Sequence, residues 1–180
     1  DLEAGDTIWV DTGTYPLSED ITIGTLDSGT TNIPVMIRGS TNAVYGGSVL
    51  DRQVPGGGTA GIRFNGALGV VIKDLGVKRA ENGVVFENAT RACRAEGVTS
   101  FDNGSAGFSV SLSKDILMQG CLAINNSTYG VRASGGVMPT SYLWENGVIW
   151  QSGTAVYMTS STANQFRNSL LQGSGAGARV

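Results

Sequence analysis

One short phrase recurs along the second two-thirds of the chain. It reads Gly61-Ile62-Arg63-Phe64, Gly83-Val84-Val85-Phe86, Gly107-Phe108-Ser109-Val110 and Gly130-Val131-Arg132-Ala133, and Ala155-Val156-Tyr157-Met158 continues it. The copies start 22, 24, 23 and 25 residues apart. A repeat of this length is one structural unit that buries its apolar side only against the copies before and after it. Within each copy, apolar residues alternate with a period of two, which is the pattern of a strand and not of a helix.

Each unit has the same internal plan. A second segment follows the Gly-led one: Val70 to Leu75, Ala92 to Glu96, Ile116 to Gln119, Tyr142 to Asn146 and Gln165 to Asn168. A small residue then turns the chain at Gly76, Gly97, Gly120, Gly147 and Ser169, and a third segment opens on Val77, Val98, Cys121, Val148 and Leu170. Polar corners close the coil at Glu81-Asn82, Asp102-Asn103, Asn125-Asn126 and Gln151-Ser152-Gly153. Gly and Asn adopt left-handed backbone angles at little cost, so they suit such corners. Three strands and three corners per unit predict an all-β fold: a right-handed, single-stranded parallel β-helix of about seven coils, each of 22–25 residues. An antiparallel sandwich is the main competitor, but it needs no fixed three-part period. Residues 1–60 are expected to form irregular opening coils and 61–180 the regular ones, all in a single domain. Pro55-Gly56-Gly57-Gly58 reads as a bulging loop, and Met138-Pro139 marks the corner of the longest coil.

At this point a family resemblance appears. Ala4-Gly5-Asp6-Thr7-Ile8-Trp9-Val10, then Gly13-Thr14-Tyr15, then Ile33-Pro34-Val35-Met36-Ile37-Arg38-Gly39 resembles the opening signature of the pectate-lyase-like β-helix superfamily. It is most similar to the branch holding alginate lyases, chondroitinase B and uncharacterised β-helix repeat proteins. The resemblance spans nearly the whole chain and implies the fold strongly. Structural and enzymatic members share it, so it implies activity only weakly. Members are usually capped at the first coil, whereas here Asp1 enters within the opening motif and Val180 follows the last coil directly. The chain therefore reads as a piece of a longer protein, or as one whose solenoid ends are covered by a protein partner.

Composition narrows the function. Net charge is −3 with a pI near 4.8, which argues against nucleic acid as a partner. No His is present, so a His base, a His zinc ligand and a Ser-His-Asp triad are all excluded. No run approaches the roughly 18 apolar residues of a membrane span. Cys93 and Cys121 read as two buried thiols or, less simply, as a disulfide.

Candidate site residues come from the expected outward positions. Arg63, Val85, Ser109, Arg132 and Tyr157 share one column, with Arg63 and Arg132 three coils, roughly 14 Å, apart. Arg63, Arg132 and Tyr157 are the substrate-binding candidates for an acidic glycan; the ordinary alternative is a pair of solvated surface arginines. A mixed-charge cluster holds Lys73, Lys78, Arg79, Arg91 and Arg94 beside Asp74, Glu81, Glu87 and Glu96. The resemblance implies a lyase that neutralises a uronate carboxylate with a cation or Ca2+, and Asp74 and Glu96 are the candidate Ca2+ ligands. A ladder of surface ion pairs is the simpler account of that cluster. Asn82, Asn103 and Asn126 are expected to stack at one corner. Asn88-Ala89-Thr90, Asn103-Gly104-Ser105 and Asn126-Ser127-Thr128 match the glycosylation pattern, as chance allows in an Asn/Ser/Thr-rich chain. Trp9, Trp144, Trp150, Tyr142 and Tyr157 are either a sugar-stacking platform or buried packing.

Two functions follow. One is a secreted or cell-surface β-helix directed at polysaccharide, by binding or by lyase-type β-elimination. The other is a non-catalytic scaffold or assembly module that uses the solenoid for rigidity and protein contact.

Overall fold

The computed structural model of the chain describes residues 1–42, 46–135, 141–159 and 163–179, with side chains through 175. Met138-Pro139 lies outside the described residues. Three faces wind around one core. The first is a seven-stranded parallel sheet of Thr7–Trp9, Val35–Arg38, Val70–Lys73, Arg94–Glu96, Ile116–Gln119, Tyr142–Glu145 and Gln165–Arg167, stacked in chain order. The second stacks Gly13–Pro16, Ser48–Asp51, Leu75–Lys78, Thr99–Phe101 and Leu122–Ile124. The third stacks Ile21–Ile23, Ala60–Asn65, Asn82–Glu87, Ala106–Ser111 and Tyr129–Ser134. Two long strands, Val148–Thr159 and Leu170–Arg179, run through the second and third faces and join them into one sheet. Every pairing among the described residues is parallel, as the repeat predicts.

The coil length differs from expectation at the start. Thr7 pairs with Met36 and Met36 with Val71, so the opening coils take 29 and 35 residues. Val71 pairs with Arg94, Arg94 with Leu117, Leu117 with Leu143 and Leu143 with Gln165, giving steps of 23, 23, 26 and 22. The short spacing thus covers four steps, two longer ones precede it, and the coil count falls slightly below the seven expected. The extra length enters as loops at corners, including a 3-10 turn at Thr25–Asp27, and leaves strand register intact.

Inward columns make the core. Ile37, Ile72, Ala95, Met118 and Trp144 line the first face, and Ile62, Val84, Phe108, Val131 and Val156 line the third; all are at most 8% exposed. Phe64 stacks on Phe86 of the next rung at 4.6 Å, and Phe108 of the third face meets Trp144 of the first edge-on across the core at 5.3 Å. Burial of this kind is worth roughly 25 cal/mol per Å2 of apolar surface.

The glycine that opens the first four repeats is a packing requirement; the fifth opens on Ala155. A Cβ at Gly61 would sit 2.2 Å from Val77, at Gly83 1.9 Å from the Ser100 hydroxyl, and at Gly130 2.1 Å from Ile149. At each of these rungs the second face presses against the start of the third, and no side chain fits between them.

Corners repeat as strictly as strands. Left-handed backbone angles fall at Asp74, Gly97, Gly120, Asn146 and Asn168 between the first two faces, and at Arg79, Asp102, Asn125 and Gln151 after the second. Gly97 and Gly120 are turn residues as expected. In the other three coils the turning residue is Asp or Asn, one or two places ahead of the small residue, because these types tolerate that conformation. Beside the second corner runs a buried polar ladder. The Asn103 amide donates to Asn126 Oδ1 at 2.9 Å, the Ala80 N–H donates to Asn103 Oδ1 at 3.1 Å, and the Asn126 N–H donates to the Ser152 hydroxyl at 3.4 Å. Asn82 is not a member: Ala80 holds that rung, and Asn82 is already in the next strand, paired with Ala60 and Ala106. Asn103 and Asn126 are each 1% exposed with their amides engaged, so both sit inside the solenoid and not at a glycosylation surface. Asn88 is exposed, at a left-handed corner, and donates to Asn65.

Gly83→Ala is expected to cost about 1–3 kcal/mol through overpacking. Gly56→Ala, where nothing lies within 4 Å of the new Cβ, is expected to change stability by less than about 0.5 kcal/mol. Urea denaturation of the two variants measures both.

Candidate functional site

The outward column of the third face is, in register, Thr22, Arg63, Val85, Ser109, Arg132 and Tyr157. Strand alternation puts all of them on the side away from the core, as the sequence predicts. Their surroundings differ sharply. Arg63 is consumed by its own protein. Its guanidinium donates to Asp20 Oδ2 at 3.0 Å, to Glu87 Oε1 at 2.9 Å and to the Gly58 carbonyl at 2.7 Å. Arg52 reaches the other Asp20 oxygen at 3.0 Å. The result is a network that ties the Pro55–Gly58 loop and the Asp20 corner to the third face. Burial alone would raise the Asp20 carboxyl, but the Ala60 N–H and the bonds from Arg52 and Arg63 outweigh it and hold that carboxyl below its usual value. Burial likewise opposes the Arg63 charge, and its bonds to Glu87 and Asp20 overcome this and raise its pKa.

Arg132 is different. It forms no ion pair among the described residues, and its guanidinium sits 6.0 Å above the ring of Tyr129. Tyr129 in turn stacks on Tyr157 at 4.9 Å with 27° between the rings. Tyr129, Arg132 and Tyr157 are all half-buried. The structure thus joins Arg132 and Tyr157, separates them from Arg63, and adds Tyr129. Tyr129 lies three residues before Arg132, outside the single outward column, so column reading alone misses it. The signal was present as an aromatic at the head of the Tyr129–Ser134 strand.

The mixed-charge cluster is spread over a corner. Lys73 holds Glu96 at 3.0 Å, and Arg94 stands 3.8 Å from the other Glu96 oxygen. Asp74 faces Arg38 at 3.5 Å, and Arg38 lies 5.3 Å over the ring of Trp9. Asp51, buried at its own corner, takes Arg79 and Lys78; the Arg79 bond is the main cause of its lowered pKa. Glu81 accepts the Gly58 N–H. The two carboxylates considered for Ca2+ therefore each face a cation of the chain, and no group of three or more acidic, Cys or His residues comes together among the described residues.

Aromatics divide the same way. Tyr142 and Trp144 are core, at 2% and 0% exposure, whereas Trp150 at 37% and Trp9 at 69% face solvent. Cys93 and Cys121 are free, buried thiols at different corners. Desolvation pushes them up to about 11 and about 12, so neither is a nucleophile at neutral pH.

These features define a parallel β-helix whose third face carries an aromatic–guanidinium strip. Residues 19–180 match the family described as Periplasmic copper-binding protein (NosD), a right-handed β-helix family, and the chain belongs to it. Solved structures similar to the chain include two of polysaccharide-acting enzymes. An alginate lyase from Paenibacillus sp. str. FPU-7 superposes with a TM-score of 0.63 at 19% identity, over 92% of this chain and 69% of that one. The catalytic domain of a GH87 alpha-1,3-glucanase in complex with tetrasaccharides gives 0.57 at 12% identity, over 91% of this chain and 34% of that one. At these identities the likeness establishes the fold. No curated protein matches the sequence. The resemblance drawn from the opening motif is borne out at the level of the superfamily. No helix among the described residues is long and apolar enough to cross a membrane.

Arg63→Ala is expected to cost roughly 1–3 kcal/mol, because Asp20 and Glu87 lose their partner, while Arg132→Ala stays within about 0.5 kcal/mol. A carboxyl with a depressed folded pKa stabilises the fold above its unfolded value, near 3.9, and that contribution is lost as pH falls through the folded value. The stability gap between the parent chain and Arg63→Ala should therefore narrow below about pH 4, as read from urea denaturation across a pH series.

Proposed function

We propose that this chain is a polysaccharide-binding β-helix that works outside the cytoplasm and holds an acidic glycan along the Tyr129–Arg132–Tyr157 strip. The observation that carries the reading is Arg132: an arginine with no carboxylate partner among the described residues, on a rigid outward strand, beside a stacked tyrosine pair. A guanidinium presents a planar fork that matches a uronate carboxylate with two hydrogen bonds. The tyrosine rings offer flat apolar faces to the C–H side of a sugar ring, with hydroxyls at their edges. A strip that advances one rung every 4.8 Å or so suits a linear polymer better than a compact ligand. The alginate lyase and the glucanase complex show that solenoids of this shape carry polysaccharide chemistry in other proteins. The family's description supports a periplasmic location.

That description also names copper. The donor set here does not fit a copper centre: the chain has no His, and both thiols are buried at separate corners with their protons held. Soft thiolate, thioether and imidazole ligands are what copper selects. The described methionines, Met36, Met118 and Met158, lie on different rungs. No step is assigned to copper in this chain.

A second reading rests on the second face. Two of its outward columns run Leu122, Val148, Leu170 and Phe101, Ile124, Trp150, an apolar surface over consecutive rungs. Exposed apolar patches on a soluble fold mark contact sites, and a scaffold packed against a protein partner would use this one.

Affinity electrophoresis in alginate, pectate and glycosaminoglycan gels, with and without Ca2+, tests the proposal. The parent chain should be retarded by at least one acidic polymer, and Arg132→Ala or Tyr157→Ala should lose most of that retardation. Arg63→Ala should keep it. A folded chain that no polymer retards would overturn the glycan reading in favour of the scaffold. An ultraviolet signal of unsaturated product that Arg132→Ala abolishes would instead make the same strip a lyase site.

A further inference from the structure

The corner between the first and second faces carries a groove of about 310 Å3, on a different side of the solenoid from the Tyr129–Arg132–Tyr157 strip. This is the lower end of the roughly 300–1,000 Å3 typical of ligand sites. Glycines make it. In the outward column Thr14, Val49, Gly76, Thr99, the rung at Gly76 has no side chain, and a Cβ there would lie 3.1 Å from Val49 and 3.6 Å from Phe101. Gly97, at the corner one rung on, widens the notch. Ser40 and Thr41 form the opposite wall.

Asp74 stands in this groove and is poorly explained by structure alone. Its rung needs only a residue that accepts a left-handed backbone, which Gly or Asn supplies in the other coils. Its Oδ2 is buried yet makes no hydrogen bond, and its relation to Arg38 at 3.5 Å is one of charge. Its Oδ1 points the other way, to within 2.9 Å of where a Gly97 Cβ would be, so glycine at 97 is what leaves this oxygen open to the groove.

We infer that the groove is a second saccharide subsite, selective for a neutral sugar. The Phe101 ring, half-buried with Lys78 5.9 Å over it, offers an apolar wall for the C–H face of a pyranose. Asp74 Oδ1 accepts sugar hydroxyls through charge-assisted hydrogen bonds, while Thr99 and Thr41 supply hydroxyls that donate or accept. An acceptor oxygen at the centre of the groove offers a uronate carboxylate no donor, whereas the Arg132 strip does, so the two sites favour neutral and acidic sugars respectively. The inference does not depend on Arg132.

Isothermal titration calorimetry of the chain with laminaritetraose, maltotetraose and a mannuronate tetrasaccharide tests it. At least one neutral probe should bind. Asp74→Asn, which keeps shape and tolerates the left-handed backbone, should weaken that binding by roughly tenfold, and Phe101→Ala should do the same. Arg132→Ala should leave it unchanged. If loss of the Arg38 pair unfolds Asp74→Asn, seen by melting, Phe101→Ala carries the test alone. Saturable binding by neither neutral probe, or binding that survives Phe101→Ala, would overturn the inference.

Discussion

Each strand of this protein finds its backbone partners in the coils directly before and after it, and that lateral ladder fixes everything else. Register passes unbroken from rung to rung, so a position that is inward in one coil is inward in the next. The core is consequently a set of columns. Phe64 on Phe86 and Asn103 on Asn126 are the same device in apolar and polar form. Stability adds up between neighbours, and a change such as a Cβ at Gly83 acts on the contact between two faces at one rung.

The ladder also frees the outward columns. Outward side chains carry no part of the core, so they can be spent on the protein's own electrostatics or left open. Arg63 and Arg132 show both fates in one column. The first is bound by Asp20, Glu87 and the Gly58 carbonyl, and it anchors a loop. The second lies over the Tyr129 ring and forms no ion pair among the described residues. The same contrast holds at the corners, where Asp51 is saturated by Arg79 and Lys78 while Asp74 keeps one oxygen on an open groove.

Much of the fold was legible in the sequence because a repeat compares the chain with itself. The Gly-led alternation from Gly61 onward predicts strands, faces and parallel order, and the column holding Arg63, Arg132 and Tyr157 is outward as read. Exact corners were harder. Asp74, Asn146 and Asn168 turn the chain where Gly76, Gly147 and Ser169 were expected, since left-handed geometry is shared by Asp, Asn and Gly and composition alone does not choose among them. Asn82 fell out of the ladder by the same two-residue slip. The opening coils, with their long corner loops, break the period on which the reading depends. At the site, availability was the illegible part: the sequence shows Arg63 and Arg132 alike, and only the distant partners Asp20 and Glu87 distinguish them. Tyr129 escaped because stacking on Tyr157 runs diagonally across two rungs and not down one column.

The central claim is that Arg132 and its two tyrosines form the open strip that meets an acidic glycan. Nuclear magnetic resonance of the chain titrated with an oligouronate tests it most directly. The account predicts shifts confined to Ser109, Tyr129, Arg132 and Tyr157, with the Arg63 guanidinium unmoved in its network. Shifts centred on Arg63 and Asp20, or none on the third face while the sugar binds elsewhere, would contradict it.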